Sequence, residues 1–471
     1  MARDRWTRRL MAALMLAASL VGRCDVASGG QGSQVLQVPS FGQVTLYTPV
    51  AQPRQVVLFL SGDGGWNLGV VSMAEQLRQE GALVVGVDIP SLVRHLEASP
   101  GCAYPAGVLE DLSRGVQLRQ KLPAYKRPII VGYSSGATMA YAALVAAPPE
   151  TFAGAVSLGF CPDLEVRRPL CQMRGLRATR RPKGLGYDLA PDPASTVPWM
   201  VLQGEVDQVC APSTTRTFVA STGAARLFSL PGVGHGFGVP AKWQGEFLLA
   251  YRAIAETRSP HDVGRASAPA VADLSLVEVP APRAGPRDMM AVILSGDGGW
   301  AELDKSLASG LAGAGIPVVG WSSLDYYWSP RTPEQASADL ARIIEHYAVT
   351  WQRSRVMVIG YSFGADVVPF LVNRLTSSVR ARVARVALIG PSDTAAFEFH
   401  VASWLGGGDD THFPTRPEIE RLAMPVTCVS SAEEADSVCR TASNPLVRPE
   451  TVGSGHHFGG DYQRLLELLL H

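Results

Sequence analysis

Two short segments put a serine where it could serve as a nucleophile: Gly132-Tyr133-Ser134-Ser135-Gly136 and Gly360-Tyr361-Ser362-Phe363-Gly364. Each G-x-S-x-G follows an apolar run and precedes a helical pattern. In that setting the serine sits on a tight strand-to-helix turn with its hydroxyl exposed. A serine hydroxyl becomes a useful nucleophile when a base takes its proton and an acid orients that base. In this arrangement the partners follow in the chain order serine, acid, histidine. His235 and His456 both come late, inside matching G-H-x-F-G turns, and the alignment of Phe237 with Phe458 selects His456 over its neighbour His457. The acids expected are Asp207, in QGEVDQVC, and Asp436, matched to it through D-x-V-C. In the second half Ser430–Glu434 replaces the glycine turn, so Glu433 and Glu434 stay open as substitutes. Asp163 and Asp393, just after the preceding strand, stay open as well.

A third element completes the chemistry. The sequence SGDGGW occurs twice, after Leu60 and after Leu294, on the loop that supplies one oxyanion-hole amide while the residue after the nucleophile supplies the other. The backbone donors expected are Asp297, Gly298 and Phe363 in the second half, and Asp63, Gly64 and Ser135 in the first.

These motifs are parts of a longer repeat. LFLSGDGGW at Leu58 recurs as VILSGDGGW at Val292, VGYSSGA as IGYSFGA, AVSLG as VALIG and GHGFG as GHHFG, always in the same order and 221 to 234 residues apart. A nearly constant offset implies one unit duplicated. Short β-branched runs alternate with amphipathic stretches, which predicts βαβ units around a buried parallel sheet. Strands are expected at 56–60, 83–88, 128–132, 153–158, 199–203 and 226–230, then at 291–294, 317–321, 355–360, 385–389, 426–429 and 447–452. The stretches 162–197 and 393–424 break the rhythm and read as lid insertions. The fold class expected is α/β, with two tandem α/β-hydrolase-type domains whose sheets are mostly parallel.

The domain organisation expected is a signal peptide over 1–28, a first domain over 31–256, a Pro-, Ala- and Ser-rich linker over 257–273 and a second domain over 274–471. Arg3, Arg5, Arg8 and Arg9 precede an apolar run from Leu10 to Val21, too short to span a bilayer but suited to an export signal, so the expected location is the periplasm. Six of the seven cysteines follow that segment, an even number that suits an oxidising compartment, and Cys428 with Cys439 is the one bridge expected. Lys plus Arg and Asp plus Glu both number 42, and without a basic block nucleic acid is not an expected partner. Neither metal-ligand spacings nor nucleotide-binding glycine loops occur, so no metal and no cofactor is expected.

The doubled SGDGGW, GYSSGAT with LGFCPD, and GYSFGAD with the aromatic run Trp321–Trp328 and GHHFGG together resemble the AcvB/VirJ family of bacterial periplasmic virulence-associated proteins. The likeness covers nearly the whole chain after the leader. It implies hydrolysis of an aminoacyl-phosphatidylglycerol, notably the lysyl form, with a membrane phospholipid as substrate and Ser362 and His456 as the acting pair. It also implies association with a type IV secretion system, so the alternative function is a periplasmic binding or assembly factor with little or no catalysis. From the residues themselves, the loop bearing Asp325, Tyr326, Tyr327 and Trp328 offers a carboxylate and aromatic faces for a cationic headgroup. A general esterase or peptidase is also compatible with the composition.

Overall fold

The computed structural model describes residues 33–38, 42–98, 102–148, 150–171, 175–256, 270–282, 288–398, 412–434 and 437–471. The expected signal peptide and most of the linker, 257–269, lie outside the described residues. The first half contains β1 (Ser33–Val38), β2 (Gly42–Tyr47), β3 (Gln55–Leu60), β4 (Ala82–Val87), β5 (Ile129–Tyr133) and β6 (Gly154–Leu158). After them come the short β7 (Asp163–Leu164), β8 (Ala178–Arg180) and β9 (Tyr187–Leu189), and then β10 (Trp199–Gly204) and β11 (Ala225–Leu230). Among the described residues the main sheet has eight strands in the order β1-β2-β4-β3-β5-β6-β10-β11. All neighbours from β4 to β11 run parallel, while β1 and β2 add an antiparallel edge.

The second half repeats the plan. It contains β12 (Leu276–Val279), β13 (Met289–Leu294), β14 (Val318–Trp321), β15 (Arg355–Tyr361), β16 (Val383–Ile389), a pair β17 (Thr394–Ala395) and β18 (Phe413–Pro414), β19 (Val426–Ser430) and β20 (Val447–Thr451). The described sheet has seven strands in the order β12-β14-β13-β15-β16-β19-β20, antiparallel only at the β12 edge. The fold is therefore α/β, with two tandem α/β-hydrolase-type units and mostly parallel sheets.

The central strands are apolar throughout because helices cover both faces of each sheet. Every residue of β4 and of β13 is buried, and each half has two core clusters. The repeated tryptophan and glycine explain one another: Trp66 lies over Gly86 and Trp300 over Gly320, and a Cβ at either glycine would overlap the indole. The edge strands β1, β2 and β12 are additions to the strands expected from the sequence. Half-exposed alternation such as SQVLQV is a weaker signal than a continuous apolar run.

The two stretches that interrupt the rhythm do carry separate structure. Strands β7, β8 and β9 form a small antiparallel sheet over the first half, and β17 pairs with β18 over the second. Residues 399–411 of the second stretch lie outside the described residues. Cys102 is bonded to Cys171, Cys161 to Cys210 and Cys428 to Cys439.

Candidate active site

Each nucleophile candidate is held on the turn its motif demands. Ser134 has φ 56° and ψ −123°, and Ser362 has φ 52° and ψ −119°, a conformation costly for a side-chain-bearing residue and tolerated where the surroundings enforce it. Helices 135–146 and 363–374 start directly after them. The flanking glycines allow the turn. A Cβ on Gly132 would strike the carbonyl of Gly136, and one on Gly136 the carbonyl of Ser61. Gly360 meets Gly364, and Gly364 meets Leu294, in the same way.

In the first half the three expected residues come together. Ser134 Oγ lies 2.9 Å from His235 Nε2, and His235 Nδ1 lies 2.9 Å from Asp207 Oδ2. The Asp207 side chain has no exposed surface. Its oxygens also accept from Gln203 Nε2 at 3.1 Å and from the backbone N–H groups of Val209 and Cys210 at 2.8 and 2.9 Å. Cys161 is bonded to Cys210, so a disulfide anchors the acid loop to the segment after β6.

In the second half Ser362 Oγ lies 2.8 Å from His456 Nε2, and the carboxylate at His456 Nδ1 is that of Glu434, 3.2 Å away. The expected Asp436 lies outside the described residues. Strand register explains why motif matching prefers it. Tyr133 pairs with Leu158 and Leu158 with Leu202, just as Tyr361 pairs with Ile389 and Ile389 with Val429. Gln203 and Ser430 therefore hold equivalent positions, and four residues further on come Asp207 and Glu434. The shared D-x-V-C is displaced because the second loop is two residues longer before its cysteine. Burial pulls the Glu434 carboxyl up, yet hydrogen bonds from the Ser431 N–H and His456 outweigh it and leave the group below its ordinary value. Asp163 and Asp393 lie after β6 and β16, and among the described residues the carboxylates at His235 and His456 are those of Asp207 and Glu434 instead; Asp163 is ion-paired with Arg181 at 3.0 Å.

The SGDGGW loops lie against the nucleophiles. Gly62 and Gly296 make the closest approach, since a Cβ on either would lie 3.3 or 3.4 Å from the serine Cβ, one residue before the expected pairs. Asp63 and Gly64, like Asp297 and Gly298, follow them along the loop. Ser135 and Phe363 occupy the first position of their helices, where backbone N–H groups have no intrahelical acceptor. The hydroxyls of Ser61 and Ser295 accept from the N–H of Ile89 and Ser323 and fix the start of each loop.

Several supporting residues lie outside the expected set, although each is repeated in the sequence. The hydroxyls of Tyr133 and Tyr361 donate to the carbonyls of His235 and His456, at 3.1 and 3.2 Å, and hold the histidine turns. Gly159 and Gly390, with φ 63° and 65°, leave room for the imidazoles, which a Cβ would approach to 3.1 and 3.2 Å. His457 is occupied elsewhere, its Nδ1 3.0 Å from the Tyr361 hydroxyl, and burial holds its pKa down.

The aromatic segment expected to meet a cationic headgroup is turned inward. Tyr326, Tyr327 and Trp328 are buried: the Tyr326 hydroxyl donates to Asp339 at 2.6 Å, Tyr327 packs on Phe363 and Phe397, and Trp328 Nε1 donates to the carbonyl of Leu122 at 2.8 Å. A short helix, 323–326, rotates the rings into the core and leaves Asp325 on the outside. The carboxylates next to the Ser362 site are different ones. A cavity of about 360 Å³ opens beside His456, lined by Gly390, Ser392, Asp393, Glu433 and Glu434 among others, with no lysine or arginine among the described residues of its wall. Behind that wall, Asp366 accepts from the Ser392 N–H at 2.5 Å.

A family model described as bacterial virulence protein (VirJ) matches residues 54–156 and 288–471. Among solved structures, the esterase domain of a Rhodothermus marinus protein is 17% identical, covers 47% of this chain and 96% of its own, and has a TM-score of 0.32. A dienelactone hydrolase from Anabaena variabilis is 20% identical over 48% of this chain and 99% of its own, with a TM-score of 0.34. A lidless α/β serine hydrolase from Xanthomonas campestris is 16% identical over 49% and 99%, with a TM-score of 0.33. No individually curated protein sequence matches the chain.

Proposed function

The chain belongs to the bacterial virulence protein (VirJ) family, and from that premise we propose that it is a serine ester hydrolase whose second half removes the aminoacyl group from lysyl-phosphatidylglycerol or a related aminoacylated lipid. The observation that carries this reading is the connected series Ser362, His456 and Glu434 opening beside a cavity walled by carboxylates. An ionised carboxylate can only accept hydrogen bonds, so at Nδ1 it selects the tautomer that presents a basic Nε2 to the serine. The ammonium groups of a lysyl ester would find Asp393 and Glu433 at hand, and opposite charges near a protein surface attract by a few kcal/mol at about 4 Å.

The steps follow from that arrangement. Ser362 Oγ adds to the ester carbonyl as its proton passes to His456 Nε2, and Glu434 stabilises the imidazolium. Charge develops on the carbonyl oxygen beside the Phe363 amide and the loop from Gly296, where backbone donors favour it. The glycerol oxygen leaves with the proton from His456, giving an acyl-serine. Water attacks this ester after losing a proton to the same histidine, and the free amino acid departs as Ser362 recovers its hydrogen.

Three disulfides suit an exported protein, since such bonds persist in oxidising compartments such as the periplasm. Two complete sets of reacting groups favour an enzyme over a docking module, which has no physical need of them. The test is to incubate purified protein with vesicles containing lysyl-phosphatidylglycerol and follow release of lysine. Ser362→Ala is expected to abolish release and Ser134→Ala to retain most of it. Unchanged release by folded Ser362→Ala protein would overturn the assignment.

A further inference from the structure

The two halves place different residues around equivalent reacting groups. Glu433, which precedes Glu434 and bonds the N–H of Gly455, corresponds by strand register to Val206, which precedes Asp207 and lies beside Gly234. Asp393, three residues after Gly390, corresponds to Pro162, three after Gly159. Asp366, four after Ser362, corresponds to Thr138, four after Ser134, whose hydroxyl donates to the carbonyl of Cys161 at 2.7 Å. Three acids of the second site are thus replaced by an aliphatic, an imino and a hydroxyl side chain. One exchange runs the other way, since Glu205 stands where the second half has Ala432; Asp163, which follows Pro162, is neutralised by Arg181, and Asp63 has its counterpart in Asp297 and does not distinguish the sites. On the loops that carry Asp207 and His235, the valines Val206, Val209 and Val239 are 56%, 68% and 54% exposed. Exposed aliphatic residues on the loops of a reacting centre are available to cover an apolar group.

We propose that the first half is a second, independent catalytic centre, with Ser134 as nucleophile, for carboxylic esters whose acyl group is neutral and apolar. Its machinery is the better enclosed of the two: the His235 side chain is 16% exposed against 45% for His456, and Asp207 is wholly buried where Glu434 is 32% exposed. Ser134 Oγ adds to the acyl carbon while its proton moves to His235 Nε2, and the alcohol leaves with that proton. Water then cleaves the acyl-serine, giving one carboxylic acid and one alcohol for each water consumed. An ammonium group on the acyl chain would meet Val206 and Pro162 where the other site offers Glu433 and Asp393.

The experiment uses the full chain as wild type, Ser134→Ala and Ser362→Ala, with para-nitrophenyl butyrate as the neutral ester and the para-nitrophenyl ester of lysine as the cationic one. Ser362→Ala is expected to retain butyrate hydrolysis and Ser134→Ala to lose most of it. The butyrate-to-lysine ratio of kcat/KM should be at least about tenfold higher for the Ser134 site, as one or two lost charge contacts near a surface imply. Adding Val206→Glu to Ser362→Ala should lower that ratio by about threefold or more. A natively folded Ser362→Ala protein that neither cleaves butyrate nor takes a fluorophosphonate on Ser134 would overturn the proposal, and so would equal ratios at the two sites. Lysine release from lipid by Ser134→Ala tests the Ser362 reading separately, so the failure of one leaves the other standing.

Discussion

At the scale of single residues, the contrast between Glu434 and Asp436 separates what identity can reveal from what geometry decides. The placement of the candidate nucleophiles and histidines is legible because the strand-to-helix turn and the histidine turn permit few arrangements, and the same residues recur in both halves. The second acid is not, because a carboxylate can arrive from several positions on a loop whose length differs between the halves. Glu434→Gln should lower kcat on an ester by about 10²–10⁴-fold, since an amide at Nδ1 no longer stabilises the imidazolium or selects the reactive tautomer. Asp436→Asn should stay within about twofold, the range of a substitution that leaves the reacting groups and their partners in place. Steady-state kinetics on both variants decides between them, and a larger loss in Asp436→Asn would restore the motif-based choice.

Asp366 makes a prediction of another kind. Burial pushes its carboxyl up to about 8, whereas in an unfolded chain an aspartate titrates near ~3.9. Between these values the folded protein keeps a proton that the unfolded chain has released, so this group makes stability fall as pH rises from about 4 to about 8. Urea midpoints should therefore drop less between pH 5 and pH 8 in Asp366→Asn than in the wild type, and equal drops would show that the group does not titrate in this range.

At the scale of elements, the central strands are readable to within about two residues because burial on both faces demands continuous apolar runs. Burial counts for less at the antiparallel edges, and β1, β2 and β12 escape a reading by pattern for that reason. The disulfides show convergence on one requirement. Cys210 and Cys439 occupy the same motif position, yet one is bonded to Cys161 after β6 and the other to Cys428 within β19. Each bond ties down the loop that carries the acid. Cys428 and Cys439 are 11 residues apart and enclose Glu434. Replacing both with alanine should cost about 2–4 kcal/mol of stability and slow fluorophosphonate labelling of Ser362 more than that of Ser134. Equal slowing at both serines would mean that the bond supports the molecule generally and not this loop.

At the scale of the whole molecule, the aromatic run whose composition suits a cationic substrate has instead a structural role between the halves. Trp328, 6% exposed, donates from Nε1 to Leu122 of the first half, and its ring centroid lies 5.3 Å from that of Tyr125. Among the described residues, ion pairs also cross: Arg114 with Asp297 at 3.4 Å and Lys305 with Glu150 at 3.5 Å. The Asp297 side chain is 61% exposed, and such pairs contribute about 0–1 kcal/mol. Truncating a buried tryptophan typically costs about 3–5 kcal/mol. The indole should therefore dominate the coupling, which explains why the segment has no aromatic counterpart in the first half: the contact needs only one donor side. In scanning calorimetry, Trp328→Ala is expected to lower the Tm and resolve unfolding into two transitions, one for each half, whereas Asp297→Asn should change the trace little. A single transition at unchanged Tm in Trp328→Ala would mean that the halves are joined by other contacts and that the aromatic run must be explained in some other way.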